Sequence, residues 1–364
     1  MDIRIFDPPE AGEPRFRSTG RATGASAVTL VERLYEPGWF ELEIPFQARH
    51  AEQLEIGRLV RIEAPGGGLS SGPAGGRNGG WDGAFWGIVD ELELSAGSGG
   101  ERLNVSGRQL KGLTLDRITI PPDFTAVSGA QGYDAVTGTT EAVMKHFVSA
   151  NLASPKQAGR GVFGLETAPD LGRGLAQDKY MSRHEVLSDV LKALGEAAGL
   201  GYDILPDLER HRFLFDVVEG ADHTAGQRER GRVIFELSRK TALGLRYRHS
   251  AADSRNVFYT TRSGAQFADE ALTIAYLREG EAQPVGIRRR EKHLEISANT
   301  PEAGSEYEEL RRLALIEAEE FKSAQSFTCE LAQGPYVYRR DFQVGDVVTV
   351  RNRAWGVSMD ARLT

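Results

Sequence analysis

The sequence predicts an α+β protein, mainly β, with two tube-like antiparallel β-barrel domains at the chain ends flanking a mixed α/β middle region. Three observations carry that prediction. Period-two alternation marks strands at both ends, as in Trp39–Ile44, where Phe40, Leu42 and Ile44 share one face and Glu41 and Glu43 the other. Helical stripes are confined to the middle and to one late segment. The third observation is an echo. Leu54-Glu55-Ile56-Gly57-Arg58-Leu59-Val60-Arg61-Ile62 is repeated in pattern by Phe342-Gln343-Val344-Gly345-Asp346-Val347-Val348-Thr349-Val350. Trp86-Gly87-Ile88 follows the first copy and Trp355-Gly356-Val357 the second, so one β-unit is expected twice.

The first domain is expected over residues 1–117. Its N-terminus opens as a strand, and Ala27 to Tyr35 is rich in Val and Leu. Pro37-Gly38 then signals a turn, with glycine supplying a positive φ. Leu59 to Glu63, Phe85 to Leu94 and Arg102 to Ser106 are the further strands. Nine glycines lie between Gly66 and Gly83, so residues 64–83 are read as a loop between two strands. Gly68-Leu69-Ser70-Ser71-Gly72 matches the nucleophile-elbow spacing there, but neither strand nor helix flanks it, and no phosphate-binding Gly-Lys-Ser/Thr follows.

Residues 118–231 form the expected middle domain. Val143, Met144, Phe147, Val148 and Leu152 make one helical stripe, with His146 read as a rim residue rather than a base. Ser182-Arg183-His184-Glu185 reads as a capping box opening a helix with Leu187, Val190, Leu191 and Leu194 inward and Gly199 at its end. His184-Glu185 also opens like a zinc-protease helix, but Ser188 stands where the second histidine belongs. A hairpin turning at Pro206-Asp207 should pack on this helix.

The last domain, 232–364, is expected as a second barrel-like region with a helix at about 305–322, opened by the capping box Ser305-Glu306-Tyr307-Glu308. Its strands include Val233–Leu237, Leu243–Arg248, Asn256–Thr261 and Ser326–Leu331. The chain stops soon after Trp355-Gly356-Val357, so this barrel is expected to be one strand short, its edge completed by a neighbouring subunit or by a strand from the middle of the chain, unless more chain once followed Thr364.

Composition bounds the function. With 40% apolar and 26% charged residues the 364-residue chain is of the soluble globular kind. The N-terminus lacks signal-peptide features and no apolar run approaches a membrane span, so a soluble protein made in the cytoplasm is expected. Cys329 is the one cysteine, which excludes an internal disulfide; its alternating surroundings make it a strand cysteine rather than a nucleophile. A net charge of −8 argues against a nucleic-acid grip, and Arg288-Arg289-Arg290 with Lys292 is interrupted by Glu291.

The blocks Glu32–Leu42, Leu54–Ile62, Val105–Arg108, Asn256–Tyr259 and Asp341–Val348, in this order, resemble a family of siphophage and prophage tail proteins, similar to the tail-tip or baseplate hub proteins of tailed phages. The resemblance implies a structural hub: two tube-like barrels per chain, a homotrimer forming a pseudo-six-fold ring, and a place in the virion after assembly in the host bacterial cytoplasm. It implies as partners the distal tail or tail tube protein, the tape-measure protein and the tip or fibre proteins, with transient contact to passing DNA. The long glycine-rich insertion and the abrupt C-terminus depart from that pattern.

No catalytic, cofactor-binding or metal residue is assigned, and no cofactor is expected. Two other readings compete. In a tail-associated cell-wall hydrolase, Asp90 with Glu91, or Asp341 with Asp346, would be the carboxylate pair; acids on alternating strands read instead as wet-face residues. In a carbohydrate-binding tail protein, Trp39, Trp81, Trp86 and Trp355 would stack on sugars; the matching places of Trp86 and Trp355 in the repeat point instead to a shared packing role.

Overall fold

The computed structural model describes residues 2–63, 84–97, 100–122, 132–157, 159–262, 272–275, 284–296, 315, 318–332 and 334–364. The glycine-rich segment 64–83 with its Gly68–Gly72 motif and Trp81, and most of the helix expected at 305–322, lie outside the described residues. The chain divides into two compact units: Met1–Glu236 with Gln333–Thr364, and Leu237–Ala332.

The first unit opens with seven strands, β1 (Asp2–Asp7), β2 (Arg17–Ala22), β3 (Ala27–Val31), β4 (Trp39–Pro45), β5 (Leu59–Glu63), β6 (Phe85–Gly97) and β7 (Gly100–Gln109). They form one antiparallel sheet in the order β2-β1-β5-β6-β7-β4-β3. One core collects inward residues from nearly every strand: Ile3 and Ile5, Ala22, Phe40 and Leu42, Val60 and Ile62, Phe85, Val105, with Val28 and Leu30 against it. A sheet whose strands all face one core must curl round it. It remains open, because β2 and β3 are both edges and no described residues pair them. Closure needs a hydrogen-bonded ladder between them, and residues 23–26 connect the two strands as a loop instead.

Pro37-Gly38 turns the chain into β4, but Gly38 does not take the expected positive φ. Its need for glycine is spatial: a Cβ there would meet the Val31 carbonyl oxygen at 1.8 Å.

The middle of the chain supplies β8 (Asp134–Thr139), α1 (Thr140–Val148), β9 (Leu165–Thr167), β10 (Ala176–Ser182), α2 (Leu187–Ala198), β11 (Gly201–Asp207) and β12 (Arg212–Val218). Thr139 caps α1 by accepting the Ala142 N–H, and the stripe Val143, Met144, Phe147, Val148 and Leu152 is buried. It meets Leu187, Val190, Leu191 and Leu194 of α2, the hairpin β11–β12, and Leu59, Trp86 and Ile88 from the other face of the curled sheet. The capping box is displaced. Ser182 does bond Glu185, but α2 starts only at Leu187, because His184 takes a left-handed φ of 58° that breaks the helix between box and stripe. Gly199 ends α2 in the left-handed region, as its sequence position predicts. The β11–β12 turn falls after Asp207, not at it.

β13 (Ile234–Phe235) completes the first stretch of this unit. The second unit contains β14 (Ala242–Ser250), β15 (Val257–Arg262), β16 (Leu272–Ala275), β17 (Glu291–Ile296) and β18 (Ala324–Leu331). β14 and β18 form a two-stranded antiparallel sheet, and β15 is central to a three-stranded one with β16 and β17. The chain then returns to the first unit as β19 (Val347–Asn352) and β20 (Val357–Arg362), and β13 lies parallel to β19. The last region therefore builds three small sheets, and the described residues close no barrel there either.

Candidate interaction surfaces

The echo is a structural repeat of one turn and one hairpin. In each copy a four-residue turn carries glycine at its third place, Gly57 with φ 86° and Gly345 with φ 100°. The turns close by Arg58 N–H to the Glu55 carbonyl (3.1 Å) and Asp346 N–H to the Gln343 carbonyl (3.2 Å). Each glycine N–H then donates across to the partner strand, Gly57 to Val89 (2.8 Å) and Gly345 to Leu363 (2.7 Å). The return bonds match as well: Val89 N–H to the Arg58 carbonyl (3.0 Å), and Leu363 N–H to the Asp346 carbonyl (2.9 Å).

This alignment corrects the Trp-Gly pairing. Leu59 pairs with Ile88 and Val347 with Arg362, so Phe85–Ile88 corresponds to Met359–Arg362 and Trp86 to Asp360. Trp86 is 3% exposed, against Phe6 at 5.3 Å between ring centroids; Trp355 is 50% exposed, in the short connection between β19 and β20. They share no packing role. The residues that join the two strands of the hairpin in the second copy, Arg353–Gly356, stand where the first copy carries its glycine-rich segment.

Three of the four carboxylates proposed as hydrolase pairs are otherwise engaged. Asp346 is buried and accepts N–H groups from Ala221 (2.7 Å) and Gln343 (2.9 Å). Asp341 accepts the Val337 N–H at 2.8 Å, and the Arg340 guanidinium holds its carboxyl below the usual range. Asp90 accepts the Arg108 N–H at 3.2 Å, while Glu91 projects from an exposed strand. His146 Nε2 lies 2.9 Å from Asp134 Oδ1 on the rim of α1. Burial pushes the Cys329 thiol up to about 11, which keeps it protonated and weakly nucleophilic. Trp39 is partly exposed at the start of β4, away from any aromatic partner among the described residues.

A mostly apolar cleft of about 440 Å³ in the first unit is lined by Pro8, Leu59, Ile88, Leu113 and Phe163, with Glu10 and Arg108 as its charges. Arg108 is already bound to Asp116 by two hydrogen bonds of 2.8 and 2.7 Å. Among the described residues no group of three or more His, Cys, Asp or Glu is placed to hold a metal ion, and no helix is long and apolar enough to cross a membrane.

Two buried charge clusters went unnoticed in the sequence. Lys111, which follows β7, donates to the carbonyls of Arg33 (2.6 Å), Leu34 (3.2 Å) and Tyr202 (3.1 Å). Beside it burial pushes Asp203 up to about 6, the Lys111 ammonium offsetting part of the rise. Gln109 bridges Asp203 (3.3 Å) to the Gly38 N–H (3.1 Å), so the cluster ties the curled sheet to β11 and to the loop before β4. In the second cluster Glu141 of α1 holds Lys145 at 2.6 Å and Arg173 at 2.8 Å. These partners bring its carboxyl down to about 2 despite burial. Both clusters are fully partnered and buried, which makes them fasteners rather than reactive groups.

Among the described residues, unpaired sheet edges are the surfaces left for interaction. One family model, that of the Siphovirus ReqiPepy6 Gp37-like proteins, matches residues 2–364. The chain belongs to this family. Its fold is similar to that of the tail protein from Neisseria meningitidis MC58, with a TM-score of 0.54 and 14% identity over 99% of this chain and 89% of that one. It is also similar to the prophage MuSo2 43 kDa tail protein from Shewanella oneidensis, with a TM-score of 0.50 and 14% identity over 100% of this chain and 92% of that one. No curated protein matches the chain.

Proposed function

We propose that the chain is a structural hub of a phage tail tip or baseplate. Three copies form a pseudo-six-fold ring that joins the tail tube to the tip and lets DNA pass. The observation that carries this reading is the repeated hairpin, in which the same turn, glycine and cross-strand bonds recur at Gly57 and Gly345. A motif used twice per chain converts three-fold assembly into six similar positions. In this reading residues 1–117 and 232–364 supply the tube-like ends and 118–231 the middle body, and each open sheet completes its tube wall on assembly. The partners are the tube or distal tail protein, the tape-measure protein and the tip or fibre proteins. The net charge of −8 favours a channel that repels DNA and lets it slide. The role is architectural, and the acids at Asp341 and Asp346 serve loops rather than a cleft. Assembly takes place in the host bacterial cytoplasm.

Gold-labelled antibody against the chain, applied to intact virions, tests the placement. Label at the distal end of the tail is expected. Label along the tube, or on the head, would contradict the hub role.

A further inference from the structure

Beyond Val89 the strand β6 loses its neighbour on one side. β5 pairs with Phe85–Ile88 and the Gly57 turn bonds Val89, after which Asp90–Gly97 is paired only to β7 among the described residues. This half-strand is exposed on both faces. Glu91 and Glu93 lie on one face, opposite Ser106 and Asn104. Leu92 and Leu94 lie on the other, 36% and 65% exposed, opposite the buried core residues Val105 and Leu103. The apolar face of the sheet therefore runs on past the point where the unit covers it.

In the second unit β14 is paired only to β18 among the described residues. Arg246 and Arg248 are exposed on one of its faces, opposite Thr328 and Ser326. Neither guanidinium is in an ion pair among the described residues, and Glu330, opposite Gly244, does not reach Arg246. The other face carries Leu245 and Tyr247, the latter 5.1 Å from Phe327 between ring centroids.

We propose that Asp90–Gly97 of one copy adds as a strand to the β14 edge that no described residue pairs, in a second copy. The two edges match residue by residue. Two acids and two arginines at the same alternate spacing share one face, and Leu92 and Leu94 meet Tyr247 and Leu245 on the other. Main-chain hydrogen bonds give the attraction and the alternating side chains give the register. Self-pairing of the β6 edge would set Glu91 and Glu93 against their own kind, which directly opposed strands do not tolerate. The contact joins different patches on the two copies, so it propagates head to tail and closes as a ring when the rotation permits. This inference deepens the ring reading and rests on it.

Charge exchange tests it. E91R/E93R and R246E/R248E each reverse one edge at exposed positions. Each variant is expected to fold, by circular dichroism, and to associate about tenfold to a hundredfold more weakly in sedimentation. The quadruple variant is expected to regain wild-type association. In a Cys329→Ala background, a chain carrying Leu92→Cys mixed with one carrying Tyr247→Cys is expected to give a disulfide between chains on mild oxidation. An oligomer that survives both exchanges unchanged overturns the strand pairing and leaves the ring reading standing. A disulfide that forms only within a single chain carrying both Leu92→Cys and Tyr247→Cys, and not between the two singly substituted chains, overturns the choice of a second copy. A wild-type chain that stays monomeric at every concentration, alone and on tail tubes, overturns both.

Discussion

Glu141 is the residue on which the interior of the middle region hinges. Its carboxylate is buried and bound by Lys145, Arg173 and the Arg173 N–H, and its pKa falls from the ordinary 4.5 to about 2. A depressed folded pKa contributes stability above the unfolded value that is lost as pH falls through the folded one. Wild-type stability in urea should therefore drop between about pH 4.5 and pH 2, and Glu141→Gln should make that slope shallower, other depressed acids such as Asp341 keeping their share. Leaving Lys145 and Arg173 with only the partly exposed Asp216 as their acid should cost about 3 kcal/mol near neutral pH. Asp203 behaves in the opposite sense. Its folded pKa is raised to about 6, so its favourable contribution is complete below pH 3.8 and is lost as pH rises through about 6. Asp203→Asn should abolish this decline, whereas Lys111→Met, which strands the acid without its cation, should steepen it. Urea titrations of the two variants from pH 4 to 7 would check the signs. The Lys111 cluster was not legible in the sequence, because Lys111 finds its partners near residues 33 and 202, far along the chain.

The turn that repeats is legible because glycine is strongly favoured where φ reaches 86° and 100°. Gly57→Ala should cost about 1–2 kcal/mol from backbone conformation alone, since its surroundings are open. Gly345→Ala should cost more, because its Cβ would also lie 3.2 Å from Leu34 Cδ1. Thermal melts of both variants would compare the two copies. Replacing residues 64–83 by a connection like Arg353–Gly356 should keep the first sheet folded, with stability changed by only about 1 kcal/mol, since loop-closure entropy varies slowly with length. The alternating strands were readable from period and turns. β2 was not, because Arg-Ser-Thr-Gly-Arg-Ala shows no apolar alternation; pairing with β1 and burial of Ala22 make it a strand. The Trp-Gly resemblance misled because it matched letters, whereas register is set by the hydrogen bonds around each glycine. The displaced start of α2 shows the same limit: Ser182 and Glu185 do bond, but the backbone at His184 decides where the helix begins.

For the whole molecule, family and fold class follow from patterns spread from end to end, whereas assembly does not, since it depends on edges that no described residue pairs. Among the described residues the sheets of one chain are open, and in the proposed hub they would gain their tube wall only with neighbouring copies. Electron microscopy of the purified chain, with its mass from light scattering, tests this most directly. Three chains in a ring with six similar lobes around a central channel are predicted. A persistent monomer that also fails to ring on tail tubes, or a closed assembly of another symmetry, would contradict it.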